Sequence, residues 1–193
     1  MQGVEAMQAL KAATAAHHER LERRVDIASR LRSREAYRDL LERFYGYYAP
    51  LEERLRPFSE MVAFAPKTPL LALDIEALGG DPGALPVACR LPPTGSPHEA
   101  LGVLYVLEGA TLGGAVIARM SRGLDISRAF FGAYDSARWR AFKAFVDDHG
   151  ADSAAAVATF ETMEAWVCGE ASPCGPVSLG AIAQRAILPG ATL

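Results

Sequence analysis

The sequence LGVLYVLEGATLGGAVI, residues 101–117, lies within the most hydrophobic part of the chain, 98–120. Its second half contains Gly109, Gly113 and Gly114, and each glycine inside a helix costs roughly 1 kcal/mol relative to alanine. Glycines four residues apart on a helix leave bare backbone open to a closely approaching object, either another helix or the flat face of a ligand. For a sequence taken alone, close helix packing is the more common explanation.

A second interpretation makes residues 103–107 a buried strand that leads into a glycine-rich phosphate loop. The pattern GATLGG at 109–114 differs from the dinucleotide-binding pattern G-x-G-x-x-G, and the Walker lysine is missing. The rest of the chain contains no other strand–helix unit. The pattern therefore favours a helix.

The remainder of the chain has the same helical character. Apolar residues recur every three to four positions, without the alternation typical of strands. Ser33 is a candidate N-cap, and Pro50 is expected to kink or break the helix that contains it. We predict an all-α, single-domain, multi-helix bundle of six to eight helices over 1–170, followed by a Pro/Gly/Ala-rich tail, 171–193. The predicted helices cover 6–25, 37–58, 70–78, 98–120, 137–148 and 152–167, with a short one at 181–188 in the tail.

Composition excludes several classes of protein. Half of the 193 residues are hydrophobic and the formal net charge is −3, so the basic surface of a nucleic-acid-binding protein is missing. No apolar run is long enough for membrane insertion, and residues 1–10 lack the features of a signal peptide, so we expect a cytoplasmic protein. Cys89, Cys168 and Cys174 are widely separated, which favours reduced thiols over a disulfide framework or a zinc site.

Two histidines stand out in the segment LKAATAAHHERLE, residues 10–22. In a helix His18 and Glu22 are neighbours, so the Glu22 carboxylate can accept a hydrogen bond from one imidazole nitrogen and leave the other free to bind a metal. The ordinary alternative is a histidine with a helix-stabilising carboxylate. His17 lies almost as well on the helix face of Leu10, Thr14 and Leu21. Periodicity therefore does not decide which of the two histidines is the metal ligand.

A run of aromatic residues occupies FYGYYAPLEE, residues 44–53. Such rings usually belong to the core. Tyr48 is the candidate exception, because a tyrosine hydroxyl that faces an apolar pocket needs a partner or a bound water.

Taken together, these segments resemble the haem oxygenase family, in particular its small bacterial, biliverdin-producing members. The resemblance covers about residues 6–167 and keeps the order and spacing of the family's motifs. It is carried by LKxxTxxxH at 10–18 followed by Glu22, YAPLE at 48–52, and LYVLEG at 104–109 followed by TLGG at 111–114.

The resemblance implies a haem held between a proximal helix with His18 as iron ligand and a distal helix kinked at Gly109, Gly113 and Gly114. It selects His18 rather than His17. Haem is then both substrate and cofactor, and O₂ with electrons from an external donor, a ferredoxin or an NAD(P)H-dependent reductase, converts it to biliverdin, CO and Fe²⁺. Lys11 matches a family residue that anchors the haem propionates, and Arg140 is a second candidate.

One position departs from the family pattern. Many members carry an aspartate directly after the first helix glycine, where it orients water, and this chain has Ala110 there. Tyr48, Thr111 or backbone carbonyls are the remaining candidates to hold that water. The alternative function is a non-catalytic haem-binding carrier or sensor on the same fold. A thiaminase-like enzyme is a poor match, because Cys89 lies in a loop and Cys168 ends a helix.

Overall fold

The computed structural model describes residues 5–62, 64–120 and 126–174. Within these residues the chain forms seven α-helices and one two-stranded sheet, which confirms the predicted all-α class. Two short 3₁₀ turns, Arg56–Phe58 and Pro82–Ala84, lie between the helices. The elements are α1 Glu5–Val25, α2 Ile27–Arg30, α3 Arg34–Leu55, α4 Thr68–Ala77, β1 Val87–Ala88, α5 Pro97–Met120, α6 Ser136–His149, α7 Ser153–Val167 and β2 Pro173–Cys174.

Helix α3 begins as the sequence predicts and continues past Pro50. The Ser33 side chain accepts a hydrogen bond from the backbone N–H of Ala36 at 3.1 Å, so Ser33 is the N-cap. Of the two predicted effects of Pro50, a kink or a break, the structure excludes the break, because α3 runs on to Leu55. Proline removes a single backbone hydrogen bond, and the buried side chains on both sides, Tyr48 and Leu51, hold the helix against the core.

Helix α5 is uninterrupted through its glycines, so the strand–loop interpretation of residues 103–114 is wrong. Its first half is buried against α7. A Cβ on Gly102 would lie 2.2 Å from the backbone oxygen of Asp152, so only glycine allows the two backbones to come this close.

Helix α7 is the central element of the bundle, since it packs against α1, α3 and α5. Nine of its residues are buried, among them Thr159, Phe160 and Trp166. The Tyr47 hydroxyl on α3 donates to the backbone oxygen of Thr159 at 3.0 Å, which satisfies a buried polar group between the two helices. Helices α1 and α5 therefore share α7 as a neighbour.

Cys89 and Cys174 form a disulfide, so the expectation of three reduced thiols is wrong. The two cysteines are 85 residues apart in sequence, and the antiparallel pairing of β1 with β2, with Val87 opposite Cys174, brings them together. Cys168 remains a free thiol. The first residues of the predicted tail, 171–174, thus pack beside β1, whereas 175–193, including the predicted helix 181–188, lie outside the described residues.

Among the described residues no helix is both long and apolar enough to cross a membrane.

Candidate functional site

His18 lies on the exposed face of α1. Its side chain is 56% exposed, and its Nε2 lies 3.7 Å from Oε1 of Glu22, one turn further along the helix. The edge of the imidazole ring meets Phe160 of α7, with the two ring centroids 5.8 Å apart. Among the described residues, the Glu22 carboxylate is the acidic group that lies within 4 Å of this ring. The imidazole is thus oriented by a carboxylate and a phenyl ring and remains open to solvent.

His17 has different surroundings. Its side chain is 20% exposed, and its Nδ1 lies 3.2 Å from Nη2 of Arg20 and 4.0 Å from the Glu161 carboxylate on α7. The imidazole is therefore engaged at the contact between α1 and α7. Of the two adjacent histidines, only His18 presents an open ring.

Helix α1 is attached to the bundle by apolar and by polar contacts. Three of its described side chains are buried, those of Leu10, Thr14 and Val25. The backbone N–H of Met7 donates to Oδ1 of Asp147 on α6 at 3.1 Å. Further along, arginines of α1 bind a glutamate of α7, so both halves of the helix have a polar anchor.

That glutamate is Glu164, whose side chain is only 5% exposed. Its Oε2 accepts from Nε of Arg20 at 2.7 Å, and its Oε1 accepts from Nη1 of Arg24 at 2.6 Å. Burial acts to raise the pKa of the Glu164 carboxyl, but the hydrogen bonds from Arg24 and Arg20 outweigh it, and the pKa is lowered overall. Arg24 also pairs with the exposed Glu170.

The glycines of α5 fall into two groups. Among the described residues, a Cβ on Gly113 would have no neighbour within 4 Å, and one on Gly109 would meet only Cη2 of Trp139, at 4.0 Å. Gly114, by contrast, is buried, and its Cβ would lie 2.7 Å from the backbone oxygen of Phe131. Gly114 is explained by packing within the chain, whereas Gly109 and Gly113 belong to an open surface.

We call this surface the open face of α5: Gly109, Ala110, Leu112 and Gly113. Ala110 and Gly113 are exposed, and Leu112 is 39% exposed, which is unusual for a leucine in the most hydrophobic helix of the chain. None of the side chains described beside Gly113 reaches within 4 Å of the place where its Cβ would lie, so the backbone of α5 is open towards them. The side chain of Thr111 lies outside the described part of the structure.

Tyr48 is almost fully buried in α3, where its ring meets the edges of Phe44 and Phe130. Burial raises the pKa of its hydroxyl far above the ordinary value, and the nearby carboxylates of Glu52 and Glu108 add to the shift. The hydroxyl stays protonated, so it can donate a hydrogen bond at every physiological pH. Its surroundings are more charged than the apolar pocket that the sequence suggested.

A buried ion cluster lies directly before Gly109. Glu108 is 4% exposed, its Oε2 accepts from Nε of Arg138 on α6 at 3.2 Å, and its Oε1 lies 3.9 Å from Nζ of Lys67. The backbone N–H of Lys67 donates to Oε1 of Glu52 at 2.6 Å, which ties α3 to the start of α4. Burial lowers the pKa of Lys67 and raises that of Glu52. The cluster joins four helices beside the open face of α5.

Glu164 and the basic partners of Glu108 are functional-site candidates that periodicity and motif spacing do not indicate. One signal was available: a glutamate in an apolar helix is rarely buried unless it is paired, so Glu108 and Glu164 required basic partners. Which arginine or lysine supplies the partner depends on helix packing, and periodicity does not reveal it.

The two candidate anchoring residues are both exposed. Lys11 lies seven positions before His18 and therefore on the same face of α1. Arg140 is on α6, one turn from the N-terminus of that helix. The structure gives neither side chain a contact with the other candidate residues.

Comparison with known proteins adds two findings. A model of the Heme oxygenase family matches residues 4–81, which include α1 and α3. A protein named Heme oxygenase from Xanthomonas campestris pv. campestris (strain 8004) is 32% identical over 158 residues, an alignment that covers 72% of this chain and 93% of that protein. The second match extends over nearly the whole length of the relative.

Proposed function

The chain belongs to the haem oxygenase family, and on this premise we propose that it binds haem through His18 and cleaves it to biliverdin, CO and Fe²⁺. O₂ and an external electron donor, a ferredoxin or an NAD(P)H-dependent reductase, are the other reactants. Haem is the substrate as well as the cofactor, and when bound it supplies the iron centre at which O₂ is activated.

The observation that carries the proposal is the contrast between the two histidines. His18 has a 56% exposed ring beside a carboxylate, whereas His17 is engaged with Arg20 and Glu161. A carboxylate that accepts a hydrogen bond from one imidazole nitrogen selects the tautomer and makes the opposite nitrogen a better metal ligand. Glu22 Oε1 lies 3.7 Å from Nε2, at ion-pair distance, and one turn along the helix it is placed to take up this role when haem is bound. The residues present therefore fit an iron porphyrin on this face of α1.

The open face of α5 supports the same proposal. A flat macrocycle needs an approach to backbone without large side chains, and Gly109 and Gly113 provide it. Bare backbone close to the reacting centre restricts the direction in which bound O₂ can lie, and it leaves no side chain there to be oxidised. Lys11 and Arg140 are the cations proposed to bind the propionate carboxylates.

Ala110 is exposed and has no polar group, so it cannot orient water for proton delivery. In our proposal this task falls to Tyr48, whose buried hydroxyl is a hydrogen-bond donor, together with Thr111. Ala110 is also the observation that favours a second candidate function, a haem-binding carrier or sensor that does not turn over.

Hemin titration of the purified protein, followed by visible spectroscopy and aerobic addition of ascorbate, tests the proposal. We expect stoichiometric binding, then loss of the Soret band with growth of biliverdin absorbance. Binding without a verdin product supports the carrier or sensor. If hemin does not bind, the proposed function is wrong.

A further inference from the structure

Glu164 connects one face of α7 with the helix that carries His18. Each of its carboxylate oxygens accepts from a different arginine, Arg20 at 2.7 Å and Arg24 at 2.6 Å. The two arginines are four residues apart, so they extend from the same side of α1. The carboxylate is 5% exposed and the arginines are 42% and 37% exposed, which places the pair at the edge of the core.

The position of α1 on the bundle depends more on such an ion pair than the position of α5 or α7 does, because fewer side chains of α1 are buried. Leu10, Thr14 and Val25 are the described side chains of α1 that are buried, and ten residues separate the last two. His18 lies within that interval, where Leu21 is a partly buried apolar side chain that packs against the core. Apolar burial in the middle of α1 is therefore limited, and the ion pairs with Glu164 add to what holds this part of the helix on α7.

The same face of α7 also contacts the imidazole. Phe160 precedes Glu164 by one turn, and its ring meets the edge of the His18 ring. A change in how Arg20 and Arg24 sit on Glu164 would move α1 relative to Phe160, and the imidazole would move with it. The arginines are two and six residues beyond His18, about 3 Å and 9 Å along the helix axis.

We propose that Glu164 is a positioning residue for His18: by holding Arg20 and Arg24 it sets the place of the imidazole on α7. The inference rests on the proposed function, in which His18 binds the haem iron. Glu164 itself acts through α1 and touches neither the imidazole nor the iron.

The first test uses hydrogen exchange of the haem-free protein, which does not depend on haem binding. Glu164→Gln keeps the shape of the side chain, but an amide accepts on one oxygen only and points N–H groups at the second arginine. We expect faster exchange in α1, by about tenfold, with α5 and α7 unchanged. Uniformly faster exchange in all three helices would mean that Glu164 stabilises the whole fold, and this would overturn the proposal.

Glu170→Gln is the matched control. Glu170 also pairs with Arg24, but its side chain is 54% exposed and it leaves both Glu164 contacts in place. We expect exchange in α1 to be the same as in the unmodified protein. An effect as large as that of Glu164→Gln would show that the surface charge of Arg24 alone is responsible, and the proposal would be wrong.

The second test is hemin titration of the same variants, with the visible spectrum of the complex as readout. We expect Glu164→Gln to weaken hemin binding about tenfold and to mix the spectrum of histidine ligation with that of weakly ligated haem, whereas Glu170→Gln changes neither. If α1 loosens while affinity and spectrum stay the same, Glu164 does not position His18. If the unmodified protein binds no hemin, the proposed function is wrong. Hydrogen exchange then still shows whether the ion pairs of Glu164 with Arg20 and Arg24 hold α1 on α7.

Arg20→Gln serves as the second variant, in case Glu164→Gln does not fold. It removes one of the two contacts and leaves Arg24 bound to Glu164. A smaller change in the same direction is expected in both tests. No change in either test would contradict the proposal.

Discussion

The adjacent glycines 113 and 114 are expected to respond in opposite ways to the same substitution. Replacing glycine by alanine inside a helix stabilises it by about 1 kcal/mol, provided that the new methyl group has room. At Gly113 a Cβ has no neighbour within 4 Å, so Gly113→Ala should gain the full amount. At Gly114 a Cβ would lie 2.7 Å from the backbone oxygen of Phe131 and 3.3 Å from its Cα, and this backbone must shift.

Forcing a methyl group into a packed site costs roughly 1–3 kcal/mol, which equals or exceeds the gain in helix propensity. The two alanine variants should therefore differ in free energy of unfolding by about 1–3 kcal/mol, with Gly113→Ala the more stable. Urea denaturation of the haem-free proteins measures this difference. If Gly113→Ala were destabilised as much as Gly114→Ala, the open face of α5 would be packed, and the reasoning would be refuted.

Gly113→Leu extends the test to binding. The Cβ of a leucine at this position would meet no described atom within 4 Å, so we expect stability not to fall, while the side chain would occupy the surface proposed for haem. We expect hemin affinity to drop at least tenfold while the urea midpoint is unchanged. Normal hemin affinity and turnover of Gly113→Leu would show that the haem does not approach this face.

Four further predictions concern other parts of the molecule. His18→Ala should abolish the histidine-ligated hemin spectrum while His17→Ala keeps it; the reverse result would show that His17 is the ligand. Glu108→Leu should lower the free energy of unfolding by about 3 kcal/mol, measured by urea denaturation, because it leaves buried cations without their carboxylate. Cys174→Ser should cost about 4 kcal/mol in the same assay, since the disulfide closes a loop of 85 residues, and a dithiol should reproduce this loss in the unmodified protein. Because the pKa of Glu164 is lowered on folding, its ion pairs stabilise the protein at neutral pH. This stabilisation is lost as the pH falls below the ordinary value of 4.5 and through the folded-state pKa. In Glu164→Gln the free energy of unfolding, measured by urea denaturation at several pH values, should therefore depend less on pH in this range.

The helical content could be predicted from the sequence because its causes are local. Helical periodicity and the absence of strand alternation were enough to place six helices, and the Ser33 cap was readable from the residue type. The family could also be recognised, because the spacing of His18, Glu22 and the glycines of α5 is a property of the chain itself. The family comparison agrees with that recognition.

Proline 50 shows that tertiary packing can keep a helix continuous where local preference allows a break. Its effect on an isolated helix is to remove a hydrogen bond and crowd the preceding turn. In the folded protein, buried neighbours on both sides compensate for that loss, and α3 continues. The strength of tertiary packing cannot be read from the position of one residue.

The sequence by itself determined the class of fold, the family and the set of candidate residues. Tertiary structure alone decided that Cys89 pairs with Cys174, that Gly114 packs against Phe131 while Gly113 stays open, and that Glu164 binds two arginines of α1. The physical reason is distance along the chain. Helix formation depends on residues within about four positions of one another, whereas each of these contacts joins residues that only packing brings together.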